Sequence, residues 1–384
     1  MDRFIETTPF FAGDHRALAA RLTQLVEREV EVHAGDDERD ADQALRDYVL
    51  LLAENDLLRY AVATPGQTFD LRAFCVIRES LSYASSIADL AFTMQGLGTY
   101  AISLAATEHV RDFWLARART GKAIAAFALT EPDAGSDVAG LKTTARQEDD
   151  AYVIDGRKRF ISNAGVADFY TVFARTGARD DGRAEISAFI VSARMPGLSI
   201  SEKTDMLAPH PIGELEFRNC KVPAEDMIGN QGDGLRLSLQ TLDVFRASVG
   251  AAACGMARRA LDESLLHAKS RQQFGKPLAE HQLIQEKLAD MATELDAARL
   301  LVYRAAYMKD TGAASSTREA SEAKLFATEA AGRIIDQAVQ VHGGSGLLRG
   351  SVVERLYRDV RALRIYEGTS EIQKLIIANQ LVKE

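Results

Sequence analysis

Cysteine is scarce in this sequence, and the absences around it narrow the reading at once. The 384 residues hold three cysteines, Cys75, Cys220 and Cys254. Their odd number and wide spacing argue against a disulfide framework or a zinc site and suit a reducing compartment. The seven histidines form no His-x-x-x-His pair, so no metal site is expected. No apolar run approaches the ~18 residues of a membrane span. The opening Met1-Asp2-Arg3-Phe4-Ile5-Glu6 has no apolar signal-peptide core, and a cytoplasmic protein is the expectation. Lysine and arginine number 46 against 55 aspartates and glutamates, a formal charge of −9. With no basic block to offset that charge, nucleic acid is not an expected partner.

What is present is an ordinary globular balance, 47% hydrophobic and 26% charged. At about 150 residues per domain the length suggests two or three domains. Texture divides the chain into three. A helical zone runs from Leu18 to about Arg119. In it Leu45, Val49, Leu52 and Ala53 share a helix face, Thr64-Pro65-Gly66 breaks the pattern, and Gly96 and Gly98 read as an interruption. From Ala123 to Gly229 short strand candidates follow one another: Ala123 to Leu129, Phe169 to Phe173, Ile186 to Val191 and Glu214 to Phe217. Tyr152 to Ile161 reads as a hairpin turning at Asp155-Gly156. From Leu235 helix returns, with Leu288, Met291, Leu295, Ala298 and Val302 forming a bundle face. The expected architecture is mostly α with an inserted β-domain: 1–120 helical, 121–230 β, 231–384 a helical bundle.

Four segments carry candidate chemistry. Phe127 to Asp137, reading Phe-Ala-Leu-Thr-Glu-Pro-Asp-Ala-Gly-Ser-Asp, ends a strand in a turn rich in short donors, suited to a polar ligand or to an ordinary surface loop. Arg271 to Leu278, followed by His281 and Gln282, offers cations for a phosphate and a phenylalanine for a ring, or merely joins two helices. Gln340-Val341-His342-Gly343-Gly344-Ser345-Gly346 is a glycine turn that follows helix, so it is not the strand-borne dinucleotide fingerprint. His342 in it reads as a packed histidine. In Arg364 to Ile372, Glu367 lies at a helix break beside apolar residues. There it either acts as a base of raised pKa or caps a helix beginning near Thr369.

Together, in this order, Thr-Glu-Pro-x-Ala-Gly-Ser-Asp, Arg-x-x-Phe-Gly, Gly-Gly-x-Gly and Tyr-Glu-Gly-Thr-Ser-Glu resemble the acyl-CoA dehydrogenase family. The resemblance is collinear from about Ala123 to Val382 and weakest over Met1 to Arg39. It implies an N-terminal helical domain, a β-barrel-like middle domain and a C-terminal four-helix bundle. It also implies FAD held between the β-domain and the bundle, and a homotetramer built as a dimer of dimers. Phe127, Leu129, Thr130, Gly135 and Ser136 are similar to the family's flavin-contacting strand and loop, Ser136 also facing the thioester. Phe160, Ile161 and Ser162 match the Trp-Ile-Thr/Ser beside the flavin ring. Arg271, Gln273, Phe274, His281 and Gln282 resemble the stretch that reaches FAD across a subunit interface. Gln340, Gly343 and Gly344 resemble the turn at its adenosine diphosphate, and Thr369 and Glu371 its phosphate-ribose side. Asp243 and Arg246 match an acyl-CoA-contacting Leu-Asp-x-x-Arg, with Tyr366 and Gly368 as further substrate residues.

Glu367 matches the catalytic carboxylate. The alternative position, before the arginine of Leu-Asp-x-x-Arg, holds Phe245, which accepts no proton. The implied reaction is α,β-dehydrogenation of a saturated acyl-CoA to the trans-2-enoyl-CoA, in fatty or organic acid catabolism, with electrons leaving to an electron-transfer flavoprotein. Desolvation by Ile365 and Tyr366 on one side, and by the bound acyl chain, is expected to raise the Glu367 pKa. An oxidase or monooxygenase of the same fold, a dehydrogenase of carrier-bound acyl groups and a non-enzymatic binding protein are the alternatives. Three departures stand out: Phe160 replaces the usual tryptophan, Asn379 lies where some relatives carry arginine, and the loop Leu207 to Ile212 gains two prolines and His210, expected to be an exposed loop histidine. Met94, Gln95, Leu97 and Tyr100 are expected to shorten or shape the substrate pocket, with Gln95 and Tyr100 equally readable as satisfied packing residues.

Overall fold

The computed structural model describes residues 2–35, 37–66, 68–313 and 316–383. Among them the chain forms helices α1 (Arg3–Thr7), α2 (Gly13–Leu25), α3 (Ala41–Glu54), α4 (Leu71–Ala84), α5 (Ser86–Ala105) and α6 (Glu108–Arg119). Eight strands follow: β1 (Ala125–Ala128), β2 (Thr144–Glu148), β3 (Ala151–Ser162), β4 (Phe169–Ala178), β5 (Ala184–Ser192), β6 (Leu198–Lys203), β7 (Ile212–Pro223) and β8 (Met227–Ile228). Helix α7 (Gly234–Ser270) leads to a small hairpin, β9 (Gln272–Gln273) and β10 (Lys276–Pro277). Helices α8 (Gln282–Asp310), α9 (Thr317–His342), α10 (Val352–Asp359) and α11 (Ser370–Leu381) complete the chain. No helix of the described residues is long and apolar enough to cross a membrane.

The chain divides into two compact units, one of Met1–Glu38, Asp70–Asp89 and Phe245–Glu384, the other of Arg39–Phe69 and Leu90–Val244. The second unit contains the sheet, with strand order β6-β7-β3-β2-β4-β5-β8 and β1 parallel to β4. Its core draws on both textures: Ala101, Ile102, Val110 and Leu115 from helices, Phe169, Phe173, Ile186 and Ile190 from strands. Each such large apolar side chain contributes about 1.5–3 kcal/mol by leaving water. On α3, Leu45, Val49 and Leu52 are buried and Ala53 half-buried, the face that their spacing predicts.

Two local readings are corrected here. Asp155-Gly156 does not turn a hairpin; it lies inside the twelve-residue β3, where the register with β7 slips between Ile154 and Gly156. A Cβ on Gly156 would stand 2.6 Å from Thr143 Oγ1, and Asp155 accepts the Asn219 N–H at 2.7 Å. The pair therefore makes a bulge, not a turn. The reversal falls instead between β2 and β3, where Asp149 has φ +52°. Gly96 and Gly98 do not interrupt α5. A Cβ on Gly98 would lie 2.6 Å from Ala125 Cβ and 3.0 Å from Ala126 N, so this glycine lets the helix touch the first strand. Gln95 fixes the same place. Fully buried, it donates to Ala118 O and Ala123 O and accepts from Ala125 N at 2.8 Å. Of the pocket-or-packing alternatives, Gln95 packs.

The first unit is helical. Met291, Leu295, Ala298 and Val302 of α8 are buried and Leu288 half-buried, confirming the bundle face. On α9 the buried Ala320, Ala323, Ala327, Ala330 and Ala331 form a face of small residues. Gly250 of α7 faces Val302 and Ala323 with no room for a methyl group. Small residues thus bring these helices close enough for backbone contact.

Candidate active site

The first unit builds its site at the break between α10 and α11. Thr369 caps α11, its hydroxyl accepting the Ile372 N–H at 3.4 Å. The cap is therefore not Glu367, which is left for other work. Glu367 has φ +53°, a left-handed conformation that a side-chain-bearing residue rarely adopts. Three contacts hold the strained turn. Gln373 Nε2 donates to Glu367 O at 3.3 Å and to Gly368 O at 2.8 Å, and Lys324 Nζ donates to Gly368 O at 2.8 Å. Glu367 Oε2 is shielded from water and makes no hydrogen bond among the described residues. Burial pushes this carboxyl above the usual range, against Arg78, Lys324 and Arg246, while Asp89 adds to the rise. A desolvated carboxylate with an unspent lone pair, close to balancing cations, is suited to take a proton.

One expected source of that desolvation, Ile365, is corrected. Ile365 is 56% exposed and points its apolar surface to solvent. Burial drives the Tyr366 phenol well above the usual range, against the nearby Arg78 charge. Beneath the turn, burial pushes Lys324 down to about 8 despite the pull of Glu367. Arg246 is buried, with Nη1 3.4 Å from Ser321 Oγ; Asp243, three residues earlier on α7, is half-buried and belongs to the second unit. Phe245 packs edge-on against Phe74, ring centroids 5.1 Å apart, and is a core residue.

Other sequence candidates occupy two further places in this unit. The β9–β10 hairpin turns through Phe274 and Gly275, both at positive φ, and holds the Phe274 ring 95% exposed. Arg271, Gln273 and Gln282 are exposed beside it, and half-buried His281 meets Gln273 O at 3.2 Å. At the end of α9, Gln340, Gly343 and Gly344 are exposed, and a Cβ on either glycine would meet nothing within 4 Å. His342 stacks on His267 at 4.4 Å and its Nδ1 meets Ala338 O, a packed histidine as its isolation predicts. Glu371 is exposed, and its carboxylate accepts its own amide and the Thr369 hydroxyl.

The second unit joins the end of β1 to the end of β3. Arg159 N donates to Thr130 O at 2.9 Å. Lys158, fully buried, donates to Leu129 O at 3.0 Å and to Glu131 at 2.7 Å. Burial pushes Lys158 down to about 8; burial also raises Glu131, but the Lys158 ammonium and backbone N–H groups hold its carboxyl below the usual range. This buried pair was missed in the sequence, because nothing in Arg157-Lys158-Arg159 marks the middle residue as the one that turns inward. It brings Phe127 and Thr130 to the same place as Phe160 and Ser162. Phe160 has φ +55° and stands 50% exposed. Phe127 is half-buried against Phe173, while Leu129 and Ile161 face the core and offer only backbone. Gly135 and Ser136 are exposed in the following loop.

His210 departs from its expected exposure. Pro211 O accepts the Asn163 N–H at 2.7 Å, and His210 Nε2 lies 2.8 Å from Ser162 Oγ. Half-buried, its imidazole is pushed by desolvation down to about 4. One cluster with metal-like spacing, Asp14, His15 and Asp70, is spent on structure: His15 Nδ1 accepts Ala12 N–H, Nε2 meets Asp70, and Asp70 caps α4.

Comparison with known proteins finds likeness along almost the whole chain. Models of the acyl-CoA dehydrogenase N-terminal, middle and C-terminal domains match residues 12–122, 126–220 and 232–382. The chain is 39% identical over 382 residues to the 3-(aryl)acrylate reductase of Clostridium sporogenes, covering 97% of this chain and 100% of that one. It is 39% identical over 322 residues to the caffeyl-CoA reductase-Etf complex subunit CarC of Acetobacterium woodii, covering 83% and 84% of the two. The solved butyryl-CoA dehydrogenase of Megasphaera elsdenii superposes with a TM-score of 0.89 at 32% identity, over 97% of this chain and 99% of that one.

Proposed function

The chain belongs to the acyl-CoA dehydrogenase family, flavin-dependent oxidoreductases whose cofactor is FAD, and from that premise we propose that Glu367 takes the α-proton as a saturated acyl-CoA becomes the trans-2-enoyl-CoA. The observation that carries the proposal is the desolvated Glu367 Oε2, unpartnered in a strained turn.

The residues present suit the cofactor. Phe160 exposes an aromatic face in a left-handed conformation, and Gly135, Gly343 and Gly344 leave open space where side chains would otherwise stand. Phe127, Thr130, Ser136, Phe160 and Ser162 would hold it, with backbone from Leu129, Gly135 and Ile161. Gln340, Gly343, Gly344, Thr369 and Glu371 would hold its nucleotide portion, with Arg271, Gln273, Phe274, His281 and Gln282 serving a neighbouring subunit's copy in a homotetramer. Bound FAD supplies the acceptor for the substrate's β-hydride. The chain's own residues do the rest. Asp243 and Arg246 engage the acyl-CoA, and Tyr366 and Gly368 border the acyl group. Glu367 accepts the proton, and its backbone N–H supports the negative charge that develops on the thioester oxygen. An electron-transfer flavoprotein is the proposed acceptor, a reading supported by the Etf complex in the name of the Acetobacterium relative.

Two relatives are named as reductases, which favours a second reading in which the same residues run the reaction backwards. A raised Glu367 pKa serves there as well, since the protonated carboxyl then returns a proton to the α-carbon.

The test is a substrate panel. Holoenzyme is mixed anaerobically with straight, branched, cyclic and aryl-substituted acyl-CoAs, and the yellow colour is followed; the reduced enzyme is mixed with the matching enoyl-CoAs. Glu367→Gln is expected to keep FAD and bind acyl-CoA yet lose bleaching by about 10²–10⁴-fold. Near-normal bleaching in that variant removes Glu367 from the mechanism. Rapid oxygen consumption by the substrate-reduced enzyme would favour an oxidase instead.

A further inference from the structure

Behind the carboxylate lies a group that neither the motifs nor the catalytic reading uses. Arg78 of α4 is 1% exposed. Its Nε and Nη2 donate to Asp89 of α5 at 2.8 and 2.7 Å, its Nη1 donates to Ser248 of α7 at 2.9 Å, and its charge acts on the Tyr366 phenol and the Glu367 carboxyl. All of these residues lie in the first unit. A buried ion pair of this kind is seldom worth more to stability than well-packed apolar side chains would be. Its position suggests another use. The guanidinium is fixed on both sides by Asp89 and Ser248, so it cannot swing away from the turn on which its charge acts.

We propose that Arg78 is a positioning residue for proton abstraction: locked by Asp89 and Ser248, it presents a fixed positive charge to the Tyr366–Glu367 turn. The inference rests on the reading of Glu367 as the base. The charged groups that act on Glu367 are Arg78 from α4, Asp89 from α5, Arg246 from α7 and Lys324 from α9; Tyr366 lies on its own turn, and Glu329 and Glu371 act on Lys324. Arg78 is the largest of the cationic contributions, and Asp89 opposes it. The pair therefore sets the proton affinity of the base by difference, and its two halves pull in opposite directions.

That opposition supplies the test. The rate of anaerobic flavin bleaching by a reactive acyl-CoA is measured against pH for the wild-type holoenzyme, Arg78→Met, Asp89→Asn, the double variant and Arg78→Lys. Exchange of the α-proton with D₂O is followed in parallel, using an acyl-CoA whose β-carbon bears no hydrogen. In Arg78→Met the acid limb of both profiles moves up by about one pH unit, so that well below the limb the reaction is about tenfold slower. In Asp89→Asn the limb moves down. The double variant returns towards the wild-type profile, and Arg78→Lys restores part of the shift. Should Arg78→Met fail to fold with Asp89 left unpaired, Asp89→Asn and the charge-neutral double variant still decide the matter. Limbs that stay in place, or that move in the same direction in both single variants, overturn the proposal and leave a structural pair. Wild-type protein that neither bleaches with nor exchanges any acyl-CoA overturns the reading of Glu367 and the inference together.

Discussion

Phe160, Phe274 and Glu367 are the three residues, among those described, that adopt positive φ without being glycine, asparagine or aspartate. Each conformation costs about 1–3 kcal/mol and persists only where the surroundings impose it. All three fall in segments that the sequence alone singled out, because those segments carry recognisable residue order. Their strain was not legible, since φ depends on what Gln373 and Lys324 do to the 367–368 turn. Arg78 and Asp89 were equally invisible: a charged residue in a helix normally faces water, and only packing reveals that these two do not. His210 is the plainest case, a loop histidine turned inward onto Ser162. Its folded-state pKa of about 4 lies below the ordinary 6.5. The unfolded chain therefore binds the proton first, and the stability tied to neutral His210 is lost as pH falls from about 6.5 towards 4. The melting temperature of His210→Gln should accordingly decline less steeply over that interval than that of the wild type. Parallel slopes for the two proteins would place His210 in water after all.

At the scale of elements, helix faces were the most readable feature. The periods of α3 and α8 predict their buried sides because 3.6-residue spacing survives whatever the helix packs against. Glycines misled, since the same residue serves a turn, a bulge and a close approach. Asp155-Gly156 has the composition of a hairpin turn, yet lies in a strand where Thr143 crowds the glycine. Gly98 has the composition of a helix break, yet keeps α5 against β1. This last assignment is easily checked. Gly98→Ala gains helix propensity, so as a simple helix position it would stabilise the protein by up to ~1 kcal/mol. Against Ala125 and Ala126 it should instead destabilise by about 1–3 kcal/mol, read from urea unfolding. A variant as stable as the wild type or more so would show that the contact yields easily.

At the scale of the whole molecule, the order helix, sheet, helix was legible from texture, and the matched domain models follow the same order. The spatial grouping was not, because residues 70–89 join a unit whose other members lie at the two ends of the chain. No local pattern records such a partnership. Cofactor binding is also a property of the whole, and it can be separated from folding. FAD added to apoprotein should raise the melting temperature, by an amount equivalent to about 2.7 kcal/mol at a hundredfold excess over Kd. In Gly344→Ala the apoprotein should melt where the wild type does, while the FAD-induced rise shrinks; an undiminished rise would remove that turn from the binding surface.

The reason lies in the emptiness around Gly344. Most glycines here are wedged against a neighbour, so altering them damages the protein before any ligand arrives. At 344 an added methyl would meet nothing within 4 Å among the described residues. Under the proposed assignment that open space is room for a visitor, and the visitor alone would register the loss.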